Sequence, residues 1–323
     1  MFKIAFFKTK SYYKTYFEKV LLEKECMPKF FEMPLTEETV FLANGCDAVC
    51  IPLSSRVDRI IINKMYGMGI RYLFVIGIGS QNIDVQEAED KLQIILIDAY
   101  STESVAEYSF GMMLAASRQI HRSYIRTRDY NISRSGLMGS NVEGKTVGII
   151  GMGRVGSRVA QMYQCFHADV IAYDIVPREM KEVEFVELEE LFARSDIISI
   201  HIPTTKETNH LINRYTIEKM KKGVILVSTS GAGVIEFYDL MEALRQKNKI
   251  GAVAIDYNEE EERRPDIISF ADEDLEDIIT QLSAFNNVLL TSNLGYHTTE
   301  TIDAIAEDLV CKIGEIQKAE KNL

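Results

Sequence analysis

Short apolar runs, rich in β-branched residues, recur at regular intervals through the second half of the chain. They begin at Val147, Val170, Ile197, Val224, Ala252 and Val288. Polar residues hardly interrupt these runs, which is typical of parallel strands that helices cover on both faces. The intervals of 23 to 36 residues leave room for a helix between successive strands. The pattern predicts a doubly wound α/β domain with six parallel strands.

The segment between the first two runs carries a single apolar stripe at helical spacing. Its members are Val155, Val159, Met162, Tyr163 and Phe166. A period near 3.6 residues places all of them on one face of a helix. We therefore expect a crossover helix that packs this face against the sheet.

Shorter strand candidates alternate with helical stretches, such as Thr36–Ala43, in the first hundred residues. The strand candidates are Lys3–Phe7, Ala48–Ile51, Tyr72–Ile76 and Ile94–Ile97. This alternation predicts a second, smaller α/β domain.

The two predicted domains share the chain unequally. Residues 1–101 and 299–323 are assigned to the smaller domain, and residues 102–298 to the larger one. The apolar-periodic segment from Val105 to Ile120 predicts a helix that joins them. A last helix, from Thr299 to about Lys318, is expected to return the chain to the smaller domain.

Composition and charge exclude several classes of partner. Asp and Glu outnumber Lys and Arg by 48 to 36, so the formal net charge is −12, which disfavours nucleic acid and anionic membranes as partners.

The five cysteines form no Cys-x-x-Cys pair, so we predict neither disulfides nor a metal site. We therefore expect the protein to reside in a reducing cytoplasm. Cys46 and Cys50 could approach each other, although two buried small side chains are the favoured interpretation.

A glycine-rich turn follows the first strand of the larger domain. The sequence Gly151-Met152-Gly153-Arg154-Val155-Gly156 opens the crossover helix. Gly151 permits a tight turn, Gly153 lets a pyrophosphate approach the backbone, and Gly156 lets the helix pack closely on the strand. The helix start at Arg154 and Val155 supplies amide donors for the phosphates. The turn therefore predicts a dinucleotide site.

The choice of dinucleotide depends on Asp174. This residue ends the second strand, 18 positions after Gly156. A carboxylate there accepts from the ribose hydroxyls of adenosine and repels a 2′-phosphate. NAD is therefore predicted in preference to NADP.

Further cofactor contacts are expected at the carboxyl ends of the other strands, where ligands bind in open α/β sheets. The candidates are His201, Pro203, Thr229, Ser230 and Asp256. His201 is interpreted as a structural histidine at the cofactor rim more readily than as a catalytic one. Asp256 either orients the nicotinamide carboxamide or caps a loop, and the sequence does not choose between these roles.

Several segments, in the correct order, resemble the D-2-hydroxyacid dehydrogenases. They are Lys145–Asp174, Asp196–Pro203, Lys219–Gly231 and Lys249–Glu261, joined by the loop Gly79–Asp84 and by Val105-Ala106-Glu107. The stretch Asp272–Thr291 is most similar to the D-lactate dehydrogenase branch. The resemblance implies a Rossmann NAD-binding domain inserted into a smaller flavodoxin-like substrate domain. It also implies a small carboxylate substrate, and a homodimer that pairs through the segment from Val105 to about Arg134.

The chain departs from this family at two positions. The family uses an arginine to hold the substrate carboxylate, a histidine to move the hydroxyl proton and a glutamate to tune that histidine. Here Ser230 stands for the arginine and Asn293 for the histidine, whereas Glu261 is retained. Ser230 carries no positive charge, and Asn293 cannot exchange a proton as imidazole does. Ordinary 2-oxo acid reduction at full speed is therefore not expected.

Other groups are candidates to take over the roles of the missing arginine and histidine. His297 could move the proton or be an exposed histidine at a helix start, and Tyr296 could donate to a substrate oxygen or only line the cleft. Arg56 could supply the missing cation or be an ordinary surface arginine. The resemblance assigns the backbone amides of Gly77, Ile78 and Gly79 to a carboxylate-binding loop.

Two functions compete at this stage. The first is an NAD-dependent oxidoreductase acting on a small carboxylate or a related carbonyl compound. The alternative is a non-catalytic NAD(H)-binding regulatory or sensor protein on the same scaffold. Transient oxidation by NAD within a lyase or racemase cycle is a third possibility, which no residue selects.

Overall fold

The computed structural model describes residues 1–77, 80, 82–177, 180–230, 232–257 and 272–321. The chain divides into two compact units. The small unit comprises Met1–Ser101 with His297–Leu323, and the large unit comprises Thr102–Tyr296. The first boundary coincides with the predicted one, and the second lies two residues before it.

The small unit contains a five-stranded sheet in the order β2-β1-β3-β4-β5, in which every neighbouring pair is parallel. The strands are β1 Phe2–Phe6, β2 Cys26–Phe30, β3 Ala48–Pro52, β4 Tyr72–Ile76 and β5 Gln93–Ile97. From β1 the chain adds β2 on one side and β3 on the other. The crevice between β1 and β3 is therefore the topological switch point of this sheet.

Alternate residues of the central strands supply two separate apolar cores. On β1, Ile4 and Phe6 belong to one buried cluster, whereas Ala5 belongs to the other. Because both faces are covered, the strand is apolar almost throughout, as the sequence pattern required.

The cysteines of the small unit fill these cores. Cys26, Cys46 and Cys50 are buried, and all five cysteines, each in the described part of the chain, are free. Cys46 and Cys50 belong to different clusters, so the interpretation as separate small apolar side chains is confirmed. Burial raises the pKa of all three buried thiols, which keeps them protonated and unreactive.

The large unit contains a seven-stranded parallel sheet in the order β12-β11-β10-β9-β6-β7-β8. The strands are β6 Thr146–Ile150, β7 Asp169–Tyr173, β8 Val183–Phe185, β9 Ile197–Ile200, β10 Val224–Ser228, β11 Ile250–Asp256 and β12 Val288–Thr291. The six predicted strands are present, and two doubly wound parallel-sheet domains are confirmed.

Helices and 3-10 turns connect the strands. The helices are α1 Ser11–Glu23, α2 Arg59–Gly67, α3 Val85–Ala88, α4 Thr102–Ser117, α5 Ile120–Arg128, α6 Arg154–Cys165, α7 Leu188–Arg194, α8 Arg214–Lys219, α9 Phe237–Arg245, α10 Asp272–Ser283 and α11 Thr299–Lys321. Single 3-10 turns occur at Val40–Ala43 and Ala232–Val234. Within the described ranges, no helix combines the length and the apolar character needed to cross a membrane.

Two strands were missed, and two predicted helices need correction. Strands β2 and β8 were not predicted, and the count of six strands for the large sheet was one too low. The helix expected over Thr36–Ala43 is only the 3-10 turn Val40–Ala43. The helix expected to continue to Ile120 ends at Ser117, because Gln119 adopts a left-handed conformation with φ 54° and α5 starts afresh.

Candidate cofactor and substrate sites

The glycine turn leaves β6 in a conformation that glycine alone adopts readily. Gly151 has φ +94°, and a Cβ built there would lie 2.6 Å from the carbonyl oxygen of His201. A side chain at this position would therefore clash with the backbone that follows β9. The tight turn assigned to Gly151 is thus required both by its torsion angle and by its neighbour.

The two later glycines of the turn have different surroundings. A Cβ at Gly156 would lie 1.9 Å from the carbonyl oxygen of Gly151, so α6 touches the turn backbone there. A Cβ at Gly153 would meet nothing within 4 Å. Gly153 is the N-cap of α6, and no side chain caps this helix start. The open approach at Gly153 and the uncapped helix start fit a pyrophosphate.

Asp174 lies beside the same turn. One carboxylate oxygen accepts from the amide of Met152 at 2.6 Å, and the other accepts from the amide of Val176 at 2.8 Å. These bonds hold the carboxylate at the end of β7, where it can face the adenosine ribose. The residues present therefore fit NAD.

His201 is held between two hydroxyl groups. Ser199 Oγ lies 2.8 Å from His201 Nε2, and Thr229 Oγ1 lies 3.4 Å from Nδ1. Burial lowers the pKa of His201 to about 3, so the ring is neutral over the working range of most enzymes. These observations support the structural interpretation of His201, because an acid/base catalyst needs a pKa near the working pH.

Because the His201 ring is neutral in the folded chain, we expect its effect on the free energy of unfolding to depend on pH. The pKa rises from about 3 in the folded chain to about 6.5 on unfolding, so the unfolded state binds more protons between these values. Stability is therefore lost as the pH falls from 6.5 towards 3, by about 2 kcal/mol at pH 5.

We expect His201→Asn to reduce this sensitivity to acid. Guanidinium unfolding at pH 7 and pH 5 should show a smaller loss of stability in the variant than in the parent. His167→Asn, at an exposed histidine, is the matched control and should behave like the parent. An equal loss in all three proteins would contradict a neutral His201 in the folded chain.

The other predicted contacts after β9 and β10 are part of local hydrogen bonding. Ser230 Oγ donates to the carbonyl of Ile200 at 3.0 Å, which ties the end of β10 to β9. The carbonyl of Pro203 accepts from Thr208 Oγ1 at 2.7 Å. Both residues lie at carboxyl ends of strands, and their contacts with the cofactor stay predictions.

Asp256 fixes the loop that carries Asn293. Its buried carboxylate accepts from Thr291 Oγ1 at 2.6 Å and from the amides of Leu294 at 2.9 Å and Gly295 at 2.7 Å. Three donors occupy the two carboxylate oxygens, so the structure supports the loop-capping role that the sequence left open.

Asn293 occupies a left-handed position in this loop, with φ 54°. Among non-glycine residues, asparagine, aspartate and histidine tolerate this conformation best. The side chain is half-buried. The backbone at Asn293 is therefore suited to either asparagine or histidine.

Removing the charge at Asp256 should loosen the loop. In Asp256→Asn an amide NH₂ replaces one acceptor and faces a donor, so at least one hydrogen bond to a charged group is lost, worth about 1.5–3 kcal/mol. Guanidinium unfolding should show a loss of this size. Asp277→Asn, on an exposed surface of α10, should change stability by less than about 0.5 kcal/mol. Equal effects of the two substitutions would contradict the capping role.

The carboxylate-binding loop expected in the small unit is only partly described. The Gly77 amide donates to the carbonyl of Ile97 at 3.0 Å, so this donor serves the sheet, and its role in carboxylate binding stays a prediction. Ile78 and Gly79 lie outside the described residues, as does Glu261 in the large unit. Arg56 is exposed, and its role in substrate binding stays a prediction.

Lys8 was not singled out by the sequence analysis. It follows β1, and its Nζ donates to Ser54 Oγ, which follows β3, at 3.2 Å. The sequence shows only that a lysine follows a predicted strand. Its contact with Ser54 could be predicted only from the strand order, which places β1 beside β3.

The last two candidates flank the second unit boundary. Tyr296 is half-buried and ends the large unit, whereas His297 is exposed and lies two residues before α11. The helix-start position of His297 is thus observed, and its role in proton transfer stays a prediction. Within the described residues, no group of His, Cys, Asp and Glu side chains could hold a metal ion.

Comparisons with known proteins agree with the cofactor site. The family model described as "D-isomer specific 2-hydroxyacid dehydrogenase, NAD binding domain" matches residues 110–295. The chain is 36% identical to a 2-hydroxyacid dehydrogenase homolog from Haemophilus influenzae, over 98% of this chain and 96% of that protein. It is 35% identical to a D-lactate dehydrogenase from Escherichia coli, over 98% of each.

A solved structure has the same fold over almost the whole chain. The Salmonella D-lactate dehydrogenase superposes with a TM-score of 0.87 at 35% identity, covering 98% of this chain and 97% of that one. None of these relatives is named as a sensor or regulator. The regulatory alternative therefore gains no support.

Proposed function

Since the chain belongs to the D-isomer-specific 2-hydroxyacid dehydrogenase family, we propose that it is an NAD-dependent oxidoreductase that interconverts a small 2-oxo carboxylate and its 2-hydroxy acid slowly. The observation that carries this proposal is the geometry of the NAD site. The turn at 151–156, the start of α6 and Asp174 are all arranged to hold NAD. A site that had lost its use would not need to keep these features together.

NAD, when bound, supplies or accepts the hydride. The chain's own residues hold it through the glycine turn, the amides at the start of α6 and the Asp174 carboxylate. His201 and Thr229 form a neutral rim at the ends of β9 and β10. A neutral rim supplies no proton-transfer group of its own.

Asn293 is proposed to orient the reacting oxygen. Its amide can donate a hydrogen bond to a carbonyl oxygen, and Asp256 holds its loop in place. The amide cannot deliver a proton, so His297 or water is proposed to do so. Loss of a positioned acid/base typically reduces the rate by about 10²–10⁴-fold. Slow turnover is the consequence.

A panel of 2-oxo acids with NADH tests this function. We expect slow oxidation of NADH with at least one acid, and weaker use of NADPH, because Asp174 repels a 2′-phosphate. Asp174→Ala should weaken NADH binding and reduce the preference over NADPH. Tight NADH binding without oxidation by any acid would overturn the proposal of an enzyme.

The free cysteines support the proposed cytoplasmic location, because oxidising compartments favour disulfides.

The surface of the large unit supports a homodimer. None of the residues of α5 is buried. Large apolar side chains are exposed on α5 and just beyond it at Ile120, Tyr124, Ile125, Tyr130, Ile132 and Met138. Such a concentration of exposed apolar side chains is typical of an interface.

Charges in this patch should separate the subunits. We expect the double variant Ile125→Glu/Ile132→Glu to sediment as a monomer where the parent sediments as a dimer. Phe41→Glu, which alters an exposed apolar residue of the small unit, is the matched control and should leave the dimer intact. A monomeric parent, or a dimeric double variant, would contradict this interface.

A further inference from the structure

Two hydroxyl groups and one imidazole form a line of contacts within the large unit. Ser199 lies in β9, His201 follows the same strand, and Thr229 follows β10, the neighbouring strand. Ser199 Oγ lies 2.8 Å from His201 Nε2, and Thr229 Oγ1 lies 3.4 Å from Nδ1. We call these three side chains the Ser199–His201–Thr229 relay. It joins the interior of β9 to the carboxyl end of β10.

The surroundings of Ser199 determine the direction of its hydrogen bond. Ser199 is 0% exposed, so its hydroxyl proton needs an acceptor within the protein. Tyr163 of α6 is its other hydroxyl neighbour, and burial raises the pKa of Tyr163, which keeps the phenol protonated. Among the described residues, the Tyr163 hydroxyl has no partner at hydrogen-bond distance, so it does not take the Ser199 proton. Ser199 therefore donates to His201 Nε2.

This direction determines which nitrogen of His201 carries the proton. The pKa of about 3 keeps the ring neutral, and a neutral imidazole has one N–H donor and one acceptor. Because Nε2 accepts from Ser199, the proton lies on Nδ1, and Nδ1–H donates to Thr229 Oγ1. Within the described part of the chain, the Thr229 hydroxyl contacts no other side chain. Its own proton is therefore directed away from the ring.

The strand order indicates what this proton faces. Strand β6, which precedes the glycine turn, lies between β7 on one side and β9 and β10 on the other. Asp174 after β7 is assigned to the adenosine ribose, so the nicotinamide half of NAD is expected over the ends of β9 and β10. The backbone of His201 already approaches the turn, 2.6 Å from a Cβ built at Gly151. Thr229 is half-buried, which leaves its hydroxyl open to a ligand.

We propose that Ser199 and His201 are positioning residues that make the Thr229 hydroxyl a hydrogen-bond donor to an oxygen atom on the nicotinamide half of NAD. This inference deepens the proposed function and rests on it. Ser199 acts through the tautomer of His201. With the proton on Nε2 instead, Thr229 would donate to Nδ1 and would present only lone pairs to the cofactor.

Nitrogen NMR of the full-length protein, with and without NADH, detects the tautomer directly. The histidine rings are labelled with ¹⁵N, His201→Asn identifies the His201 signals, and long-range ¹H–¹⁵N correlation shows which nitrogen is protonated. Ser199→Thr keeps the hydroxyl and Ser199→Val replaces it with a methyl group, so overpacking affects both variants alike. Ser195→Ala is the matched control, because Ser195 is equally buried but donates to the carbonyl of Leu191 at 2.6 Å.

The proton should lie on Nδ1 in the parent, in Ser199→Thr and in Ser195→Ala, whereas Ser199→Val should acquire the Nε2–H tautomer. NADH affinity, measured by fluorescence titration, should fall about 3-fold to 10-fold in Thr229→Val, as expected for the loss of one neutral hydrogen bond. Thr229→Ser should restore most of it. Ser199→Val should weaken NADH binding about 2-fold to 5-fold, and Ser195→Ala should not change it.

A double variant tests whether Ser199 acts through Thr229. Once position 229 lacks a hydroxyl, the tautomer of His201 no longer affects the cofactor. Ser199→Val/Thr229→Val should therefore bind NADH no more weakly than Thr229→Val alone. A merely structural role of Ser199 would give additive losses, which would contradict the relay. Guanidinium unfolding of each variant verifies the fold.

Three further results would overturn the assignment. They are a proton on Nε2 of His201 in the parent, unchanged NADH affinity in Thr229→Val, and a parent that does not bind NADH. Neither NMR nor titration needs turnover, so a protein that has the relay but reduces no 2-oxo acid would refute the proposed reaction alone. A protein that reduces 2-oxo acids with its His201 proton on Nε2 would refute the relay alone.

Discussion

Asn293→His is expected to raise kcat/KM for NADH-dependent reduction of a 2-oxo acid by about 10²-fold or more, because a positioned acid/base typically contributes 10²–10⁴-fold. The site can accept the substitution. Histidine tolerates the left-handed backbone at this position, φ 54°, and Asp256 fixes the loop through the amides of Leu294 and Gly295. The retained Glu261 is the proposed partner for the new imidazole.

The pH profile separates this explanation from a general improvement in binding. The variant should acquire a dependence on a group that titrates near pH 6.5, the ordinary value of histidine, and the parent should lack it. Asn293→Gln is the control, because it keeps an amide and adds no titratable group. An Asn293→His protein that binds NADH normally but is no faster than Asn293→Gln would show that the missing imidazole does not limit the rate.

Gly156→Ala is expected to have the second large effect, on both fold and cofactor. The added Cβ would lie 1.9 Å from the carbonyl oxygen of Gly151 and 3.0 Å from its carbonyl carbon. Because the clashing atoms of Gly151 belong to the backbone, α6 must move away from the turn. Overpacking of this kind costs about 1–3 kcal/mol of stability. The displaced helix start should also weaken NADH binding by about 10-fold to 100-fold, as expected when a hydrogen bond to a charged phosphate is lost.

Gly153→Ala is the informative comparison. Its Cβ would meet nothing within 4 Å, and its φ of −70° suits alanine. The stability without cofactor should therefore change by less than about 0.5 kcal/mol. NADH affinity should still fall, because the methyl group occupies the approach of the pyrophosphate. Chemical unfolding and NADH fluorescence titration measure both quantities. If Gly156→Ala left both unchanged, the close packing of α6 on the turn would be wrong.

The sequence predicted the strands that are nearly continuous apolar runs. Six strands of the large sheet are nearly continuous apolar runs, and each was found at its place. Strands β2 and β8 lie at sheet edges, where burial on both faces is not required. Strand β2 contains Pro28 and Lys29, and β8 has only three residues around Glu184. Such segments carry no periodic signal, so sequence patterns miss them.

The cofactor site was predictable because its requirements are local. The torsion angle of Gly151, the packing of Gly156 and the position of Asp174 all follow from one strand, turn and helix. The substrate side depends on contacts between distant segments. Asp256 accepts a hydrogen bond from Thr291, 35 positions later, and Lys8 donates one to Ser54, 46 positions later. Neither contact could be deduced before the strand order was known.

We expect this chain to transfer a hydride between NAD and a small 2-oxo acid, although the amide of Asn293 stands where the family has an imidazole. Isotope transfer tests it most directly, because product analysis detects turnover too slow for an absorbance assay. The protein is incubated with [4,4-²H₂]NADH and a panel of 2-oxo acids, and the products are examined by mass spectrometry. We predict deuterium at C2 of a 2-hydroxy acid, formed slowly by the parent and faster by Asn293→His. NADH binding with no deuterium at C2 of any product, from either protein, would contradict the account.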